Sequence, residues 1–452
     1  SVLIIGQSGR GEVVVADNGA LNVLGDDATL LIGQIRNGFA PSPYESTLRI
    51  ETGGDVTLDS GLGEASILRI ANDAQTTGRL IVDCAGSQLN LISDTDGPTG
   101  ADAGYGAGLI VGHNGAGYLE VSNGGLVTID GGGHKAPAFI VGHRNDVAGY
   151  AATGRAYVSG AGSAITLNGT NNYAYSGQGF ISVGRRDGND GYLSITEGGA
   201  VSNLGAVSAT EIGGFQGSNG LIVVFGAGSR LDAGGTLAIS SAGPDNAYDL
   251  YDGGYGALSI SEGGLVTAGR TLLGDRGELS IRNAELQSDV ESVGDIQVGG
   301  ADLVGDATLT GTLIQTGGMI EFDIDGFTVG AADFLSISGD AEIDAATVVL
   351  DLSGLAAAEE GDSIVFLSVD GALMLDETAI SVAGGPVGAV LSVEREVVSD
   401  GAVGQRTEVS LRVGAVAQGA VGFVGVSETV FEGDPGDDVS LTFMLERSGD
   451  LS

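Results

Sequence analysis

LIVGHNGAGYLEVSNGGLVTI, residues 109–129, sets three short apolar runs between glycines. Across Tyr118, Leu119, Glu120 and Val121 apolar and polar side chains alternate. Leu119 and Val121 therefore share one face and Tyr118 and Glu120 the other, the period of a half-buried strand. No helical period competes. Residues 181–201, ISVGRRDGNDGYLSITEGGAV, repeat the arrangement, and further copies run through residues 11–23, 46–58, 78–91, 154–167, 220–231, 256–267 and 277–286. Anchored on the first small residue of the turn, the copies fall at Gly19, Gly53, Ala85, Gly124, Ala161, Gly198, Ala227 and Gly263, 29 to 39 residues apart. Three short strands per copy make a three-sided coil that cannot bury its inward side chains alone, so copies must stack. Stacked coils about 4.8 Å apart leave corners where positive φ is needed and a side chain would meet the next coil, which accounts for the glycine.

Composition agrees with a solenoid. The chain holds 82 Gly but only 7 Pro, which excludes collagen and Pro/Gly-rich linkers, and no Trp and 12 Phe, as a narrow core requires. With 18 basic and 59 acidic side chains the formal charge is −41. That opposes nucleic-acid or anionic-lipid binding through phosphate contacts and makes cations natural partners. The lone cysteine, Cys84, excludes a disulfide framework, and its place in a turn column points to a spacer. No apolar stretch reaches transmembrane length. The first residues already lie inside a repeat, so the chain reads as a piece of a longer precursor whose export signals lie outside it.

Insertions cluster. The link between the first and second strands is short at residues 6–11, 112–117 and 274–277, and long at 33–46, 142–154 and 239–256. Stacking puts the long links on one corner, where an interaction surface is expected. A second set spans residues 93–108 and 169–179. Eight of the eleven tyrosines fall in the two sets, and Tyr44, Tyr150, Tyr248, Tyr251 and Tyr255 are the candidate contact residues on the first. Packing as aromatic lids competes with that role.

From residue 291 the turn motif fades and strands lengthen, as in DATLTGTLIQTGGMIEFDI and DSIVFLSVDG. More regular coils are expected over residues 291–415, with a short helical turn at 355–360 and a linker at 416–425. Residues 117–129, 191–201 and 256–266 resemble the glycine-rich repeats of autotransporter-like passengers, and residues 309–366 look like the end of such a passenger. The resemblance covers about residues 1–412. It implies a right-handed parallel β-helix, export and adhesion. No membrane barrel follows; instead residues 426–452, VSETVFEGDPGDDVSLTFMLERSGDLS, resemble the opening strands of a Calx-β domain, an immunoglobulin-like sandwich that commonly binds calcium. By that resemblance Glu432 is a calcium ligand, the other ligands lying beyond the 27 matching residues.

Candidate chemistry within the repeats is sparse. His113 and His143 follow the same Val-Gly step in consecutive copies, where other copies hold Gln7, Gln34, Arg185, Gly214 and Asp275. Stacking in register brings the two rings about 5 Å apart. A column that also takes Gln, Arg and Gly reads as an exposed polar ladder rather than a metal site. Asp94 with Asp96, Asp187 with Asp190, and Asp323 with Asp325 lack the spacing of a calcium loop and read as solvated turns. A polysaccharide lyase or hydrolase is the rival reading, with Arg185, Arg186 and Asp187 as the densest charged cluster, but no catalytic motif supports it. The sequence thus points to a non-enzymatic, secreted structural or adhesive β-solenoid of the bacterial surface or matrix. It assembles with itself, as a layer or filament, or contacts a surface or glycan, with calcium as the expected cofactor.

Overall fold

The computed structural model describes residues 1–35, 45–61, 65–93, 107–132, 137–143, 152–169, 180–185, 188–204, 208–214, 216–241, 253–300, 303–355, 357–385, 390–400, 404–414, 422–423, 439–442 and 445–446. The chain forms two compact units, Ser1–Glu278 and Leu279–Ser452. Among the described residues the only helix is the 3-10 turn Glu377–Ala379. The helical turn expected at 355–360 is absent from the described part of that stretch, where Leu355 N closes a simple turn onto Leu352 O at 3.0 Å. No helix among the described residues is long and apolar enough to cross a membrane.

The first unit is a three-sided parallel β-helix. Its first face stacks Val2–Gln7, Asp27–Gln34, Ala65–Ile70, Ala107–Val111, Ala138–Val141, Phe180–Val183, Ala209–Ile212 and Thr236–Ile239. The second stacks Glu12–Val15, Glu45–Ile50, Thr77–Asp83, Ala116–Ser122, Thr153–Ser159, Asp190–Thr196, Asn219–Phe225 and Tyr255–Ser261. The third runs from Ala20–Leu24 to the start of Leu265–Leu273. Every pairing is parallel and in register, so each inward position builds a column. Leu48, Leu80, Leu119, Ala156, Leu193, Ile222 and Leu258 form one such column, all buried. Each of the larger ones contributes about 1.5–3 kcal/mol on burial. The strands bracketing the long links place all three at the corner between first and second faces, as the sequence implied.

The corner between second and third faces holds a regularity finer than the repeat. Two-residue turns such as Asn123-Gly124, both left-handed at φ 52° and 87°, alternate from the third coil onward with three-residue turns such as Gly160-Ala161-Gly162. The three-residue turns end in a serine, Ser87, Ser163 or Ser229, whose buried hydroxyl accepts the N–H of Gly53, Gly124 or Gly198 in the preceding coil's turn. These half-buried N–H groups point along the stack, and the serine of the next coil satisfies them. Cys84 opens the first three-residue turn at φ 75°, where its counterparts are Gly160 and Gly226.

In the second unit parallel coils continue through Asp306–Thr310, Phe334–Ile337 and Ser363–Val369 on one face. Met319–Asp323, Thr347–Leu352 and Ile380–Gly384 form another. The coils end there rather than near residue 415. Leu391–Asp400 and Gly404–Val413 form an antiparallel hairpin whose second strand pairs antiparallel with Ser363–Val369. The hairpin occupies a strand edge that a further parallel coil would otherwise have to satisfy. Val439–Thr442 adds antiparallel to Leu391–Asp400; most of residues 426–452 lies outside the described residues.

Two substitutions test the corner. Ser163→Ala should lower unfolding free energy by about 1–3 kcal/mol by stranding the Gly124 N–H. Cys84→Gly should raise it by about 1 kcal/mol by relieving a left-handed non-glycine backbone. Denaturant titration of each variant checks both signs.

Candidate functional site

The outer side of the first face departs from ordinary alternation. All five residues of Ala107–Val111 and all four of Ala138–Val141 are buried. The outward row Ile110, Ile140, Ser182, Glu211 and Ala238, one residue per coil, is buried throughout. Phe180 packs against Ile110, Ala138 and Ile140. Arg69 extends the row by one coil, paired with Ile110, and burial lowers its guanidinium pKa.

Just past this row lie the histidines. Their ring centroids are 5.2 Å apart and their planes nearly parallel, 18° from one another, as expected of neighbours in the repeat register. They are not exposed: His113 and His143 retain 5 % and 7 % of their surface, because they share the covered side of the first face. The backbone carries the column onward, His143 N donating to Gly112 O at 2.9 Å and Arg185 N to Gly142 O at 3.1 Å. Asn72 precedes them in the column, one coil on from Gln34, with its carbonyl 3.1 Å from His113 Nδ1 and accepting from Asn114 Nδ2 at 2.8 Å. Arg185 lays its guanidinium over the Phe180 ring, 4.7 Å from the centroid.

Glu211 is the group that sequence reasoning missed. It is 1 % exposed, and neither carboxylate oxygen has a hydrogen-bond partner among the described residues. A Cβ on Gly214 would lie 3.1 Å from Glu211 Oε2. The glycine that follows Arg185 in the column therefore leaves the room into which the carboxyl turns. Burial pushes the Glu211 carboxyl up to about 7, against the opposing pull of the Arg185 charge. The only sequence signal is a Glu within Ala209–Ile212, at a position the adjoining coils fill with Ser182 and Ala238.

A second buried acid lies in the other unit. Asp333 accepts from Gly305 N through Oδ1 and from Asp323 N through Oδ2, both at 2.7 Å. Burial is the largest influence and raises it to about 8; the Asp323 and Asp325 charges add, and the two backbone donors oppose. Half-buried Asp323 and exposed Asp325 lie beside this buried acid. Among the described residues no group of three or more His, Cys, Asp or Glu side chains could hold a metal ion.

Of the tyrosines expected to make contacts, Tyr255 is not in a loop. It opens the strand Tyr255–Ser261, is 43 % exposed, and donates its hydroxyl to Glu278 Oε2 at 2.7 Å. Burial, the hydrogen bond and the adjacent carboxylate push the phenol up to about 12. Tyr44, Tyr150, Tyr248 and Tyr251 lie outside the described residues, as do Glu432, Asp94, Asp96, Arg186 and Asp187. Asp190 accepts from Asn219 Nδ2 of the next coil at 2.8 Å. No protein-family model matches the chain, and no curated protein matches it in sequence.

Glu211 sets a pH signature. Its folded pKa lies above the ordinary 4.5, so its favourable contribution is full below about pH 4.5 and is lost as pH rises through about 7. The loss is on the order of 3 kcal/mol. Unfolding at pH 4.5 and pH 8 should show Glu211→Gln losing less stability over that interval than the parent chain. Equal losses would contradict the assignment.

Proposed function

We propose that this chain is a non-enzymatic structural or adhesive β-solenoid, secreted to the bacterial surface or matrix, where it assembles with itself or holds a surface glycan. The observation that carries the reading is the burial of its most reactive polar groups. Arg185 and Glu211, neighbours in adjoining coils, are the pair that would best serve the polysaccharide-processing rival. At 1 % exposure Glu211 offers no oxygen to a polymer arriving from solvent. The in-register columns support a scaffold role, since they spend the sequence on a stiff stack rather than on a cleft. The resemblance of the repeats to autotransporter-like passengers supports export and adhesion. Incubation with polygalacturonate and other anionic polysaccharides should leave polymer length unchanged. Shortening that disappears in Glu211→Gln would overturn the reading.

Calcium enters through the formal charge of −41 and the Calx-β resemblance around Glu432. Divalent cations relieve the self-repulsion of so acidic a surface. Adding a chelator should lower the unfolding midpoint, and returning calcium should restore it. A midpoint indifferent to both would remove calcium from the proposal.

A further inference from the structure

The second face of the first unit carries outward residues that the scaffold does not require. By register Arg79, Tyr118, Arg155 and Tyr192 follow one another across four adjacent strands, about 4.8 Å per step. A parallel row holds Arg49, Ile81, Glu120, Tyr157 and Ser194. The stack forms equally well without such side chains: the next two coils hold Leu221 and Ala257 in the first row and Val223 and Ser259 in the second.

The three arginines are not equivalent. Arg49 pairs with Glu51 and Arg79 with Glu120, each at 2.9 Å. Arg155 is exposed and makes no hydrogen bond or ion pair among the described residues. Tyr118 and Tyr192 stand one strand to either side of it. Tyr157, 37 % exposed, lies two positions along its own strand, its ring centroid 5.8 Å from that of Tyr192 and tilted by 59°.

An uncommitted guanidinium ringed by three tyrosines has a definite ligand chemistry. Its planar fork matches a carboxylate with two parallel hydrogen bonds. Tyrosine offers a flat apolar ring for the C–H face of a sugar and a hydroxyl for its polar edge. One strand step is close to the length of one sugar residue, so an extended chain lying along the stack stays in phase with the rows. The whole-chain charge repels a polyanion, but screening limits that repulsion to about 8 Å at physiological salt. Of the acids beside the site, Glu120 is already paired with Arg79, and Asp190, diagonal to Arg155 on the next strand, accepts from Asn219 Nδ2 at 2.8 Å.

We propose that Arg155, Tyr118, Tyr157 and Tyr192 form a binding site for an extended acidic polysaccharide, a uronate carboxylate lying on Arg155 and sugar rings on the tyrosines. The site rests on the adhesive reading above and gives it a ligand class and a place. Affinity electrophoresis of the intact chain at about 0.15 M salt, with polygalacturonate as probe and dextran as uncharged comparator, tests it. The parent chain should be retarded by polygalacturonate and much less by dextran. Arg155→Ala and Tyr192→Ala should each weaken binding about tenfold or more, with unfolding midpoints near the parent's. Arg230→Ala, on the third face, should bind as the parent does. Equal binding by the parent and Arg155→Ala, equal retardation by dextran, or no retardation by polygalacturonate would overturn the site. Polymer shortened during binding lost in Arg155→Ala would sustain the site and refute the non-enzymatic reading; intact polymer with no binding refutes the site alone.

Discussion

In a parallel stack each coil must sit one strand spacing, about 4.8 Å, from the next along its entire circuit, corners included. Faces meet this condition readily, because parallel strands hydrogen-bond at that distance. Corners do not. A Cβ on Gly112 would collide with the backbone of Thr153 in the following coil, and the same holds for Gly142 against Asp190 and Gly184 against Asn219. The serine-ended turns answer a second demand of the same spacing. Backbone N–H groups at the corner point toward the neighbouring coil, and Ser87, Ser163 and Ser229 supply the oxygen that accepts from them. The largest variation in repeat length falls in links between faces, at residues 33–46, 142–154 and 239–256 between the first and second and at 93–108 and 169–179 between the third and first.

The faces of the first unit divide its chemistry. The outer side of the second face mostly keeps alternation, broken at the buried Ile81, Ser194 and Ala257, with apolar columns inside and Arg, Tyr and Glu among the residues outside. The outer side of the first face is buried as well, and polar groups there lose solvent. His113 and His143 stack on each other, and Arg185 lies over Phe180. Glu211 is pushed toward its neutral form. Burial of this kind makes a column a structural and pH-responsive element, whereas recognition of a large extracellular polymer needs groups that solvent reaches. Arg155 and its tyrosines are of that second kind.

Much of this was legible in the repeats. Alternation around Leu119 and Val121 gave the strands, the recurring glycines gave the corners, and the shared Val-Gly step gave the neighbouring histidine rings. These succeed because each depends on local period and on copies of one motif falling in register. Other features were not legible. Asn72 escaped the histidine column because Ala71 replaces the marker glycine there. The hairpin of Leu391–Asp400 and Gly404–Val413 alternates as the coils do, and alternation does not distinguish parallel from antiparallel pairing.

The sequence by itself determined that inward columns of Leu, Val and Ile would stack behind glycine corners, since period and repetition leave no other way to bury them. Only the tertiary structure decided which outward rows are covered and which meet water. A strand's period assigns a side chain to a side of the sheet and carries no information about what packs over that side. That missing contact separates the buried His113 and Glu211 from the exposed Arg155, three polar residues that look alike in the linear pattern.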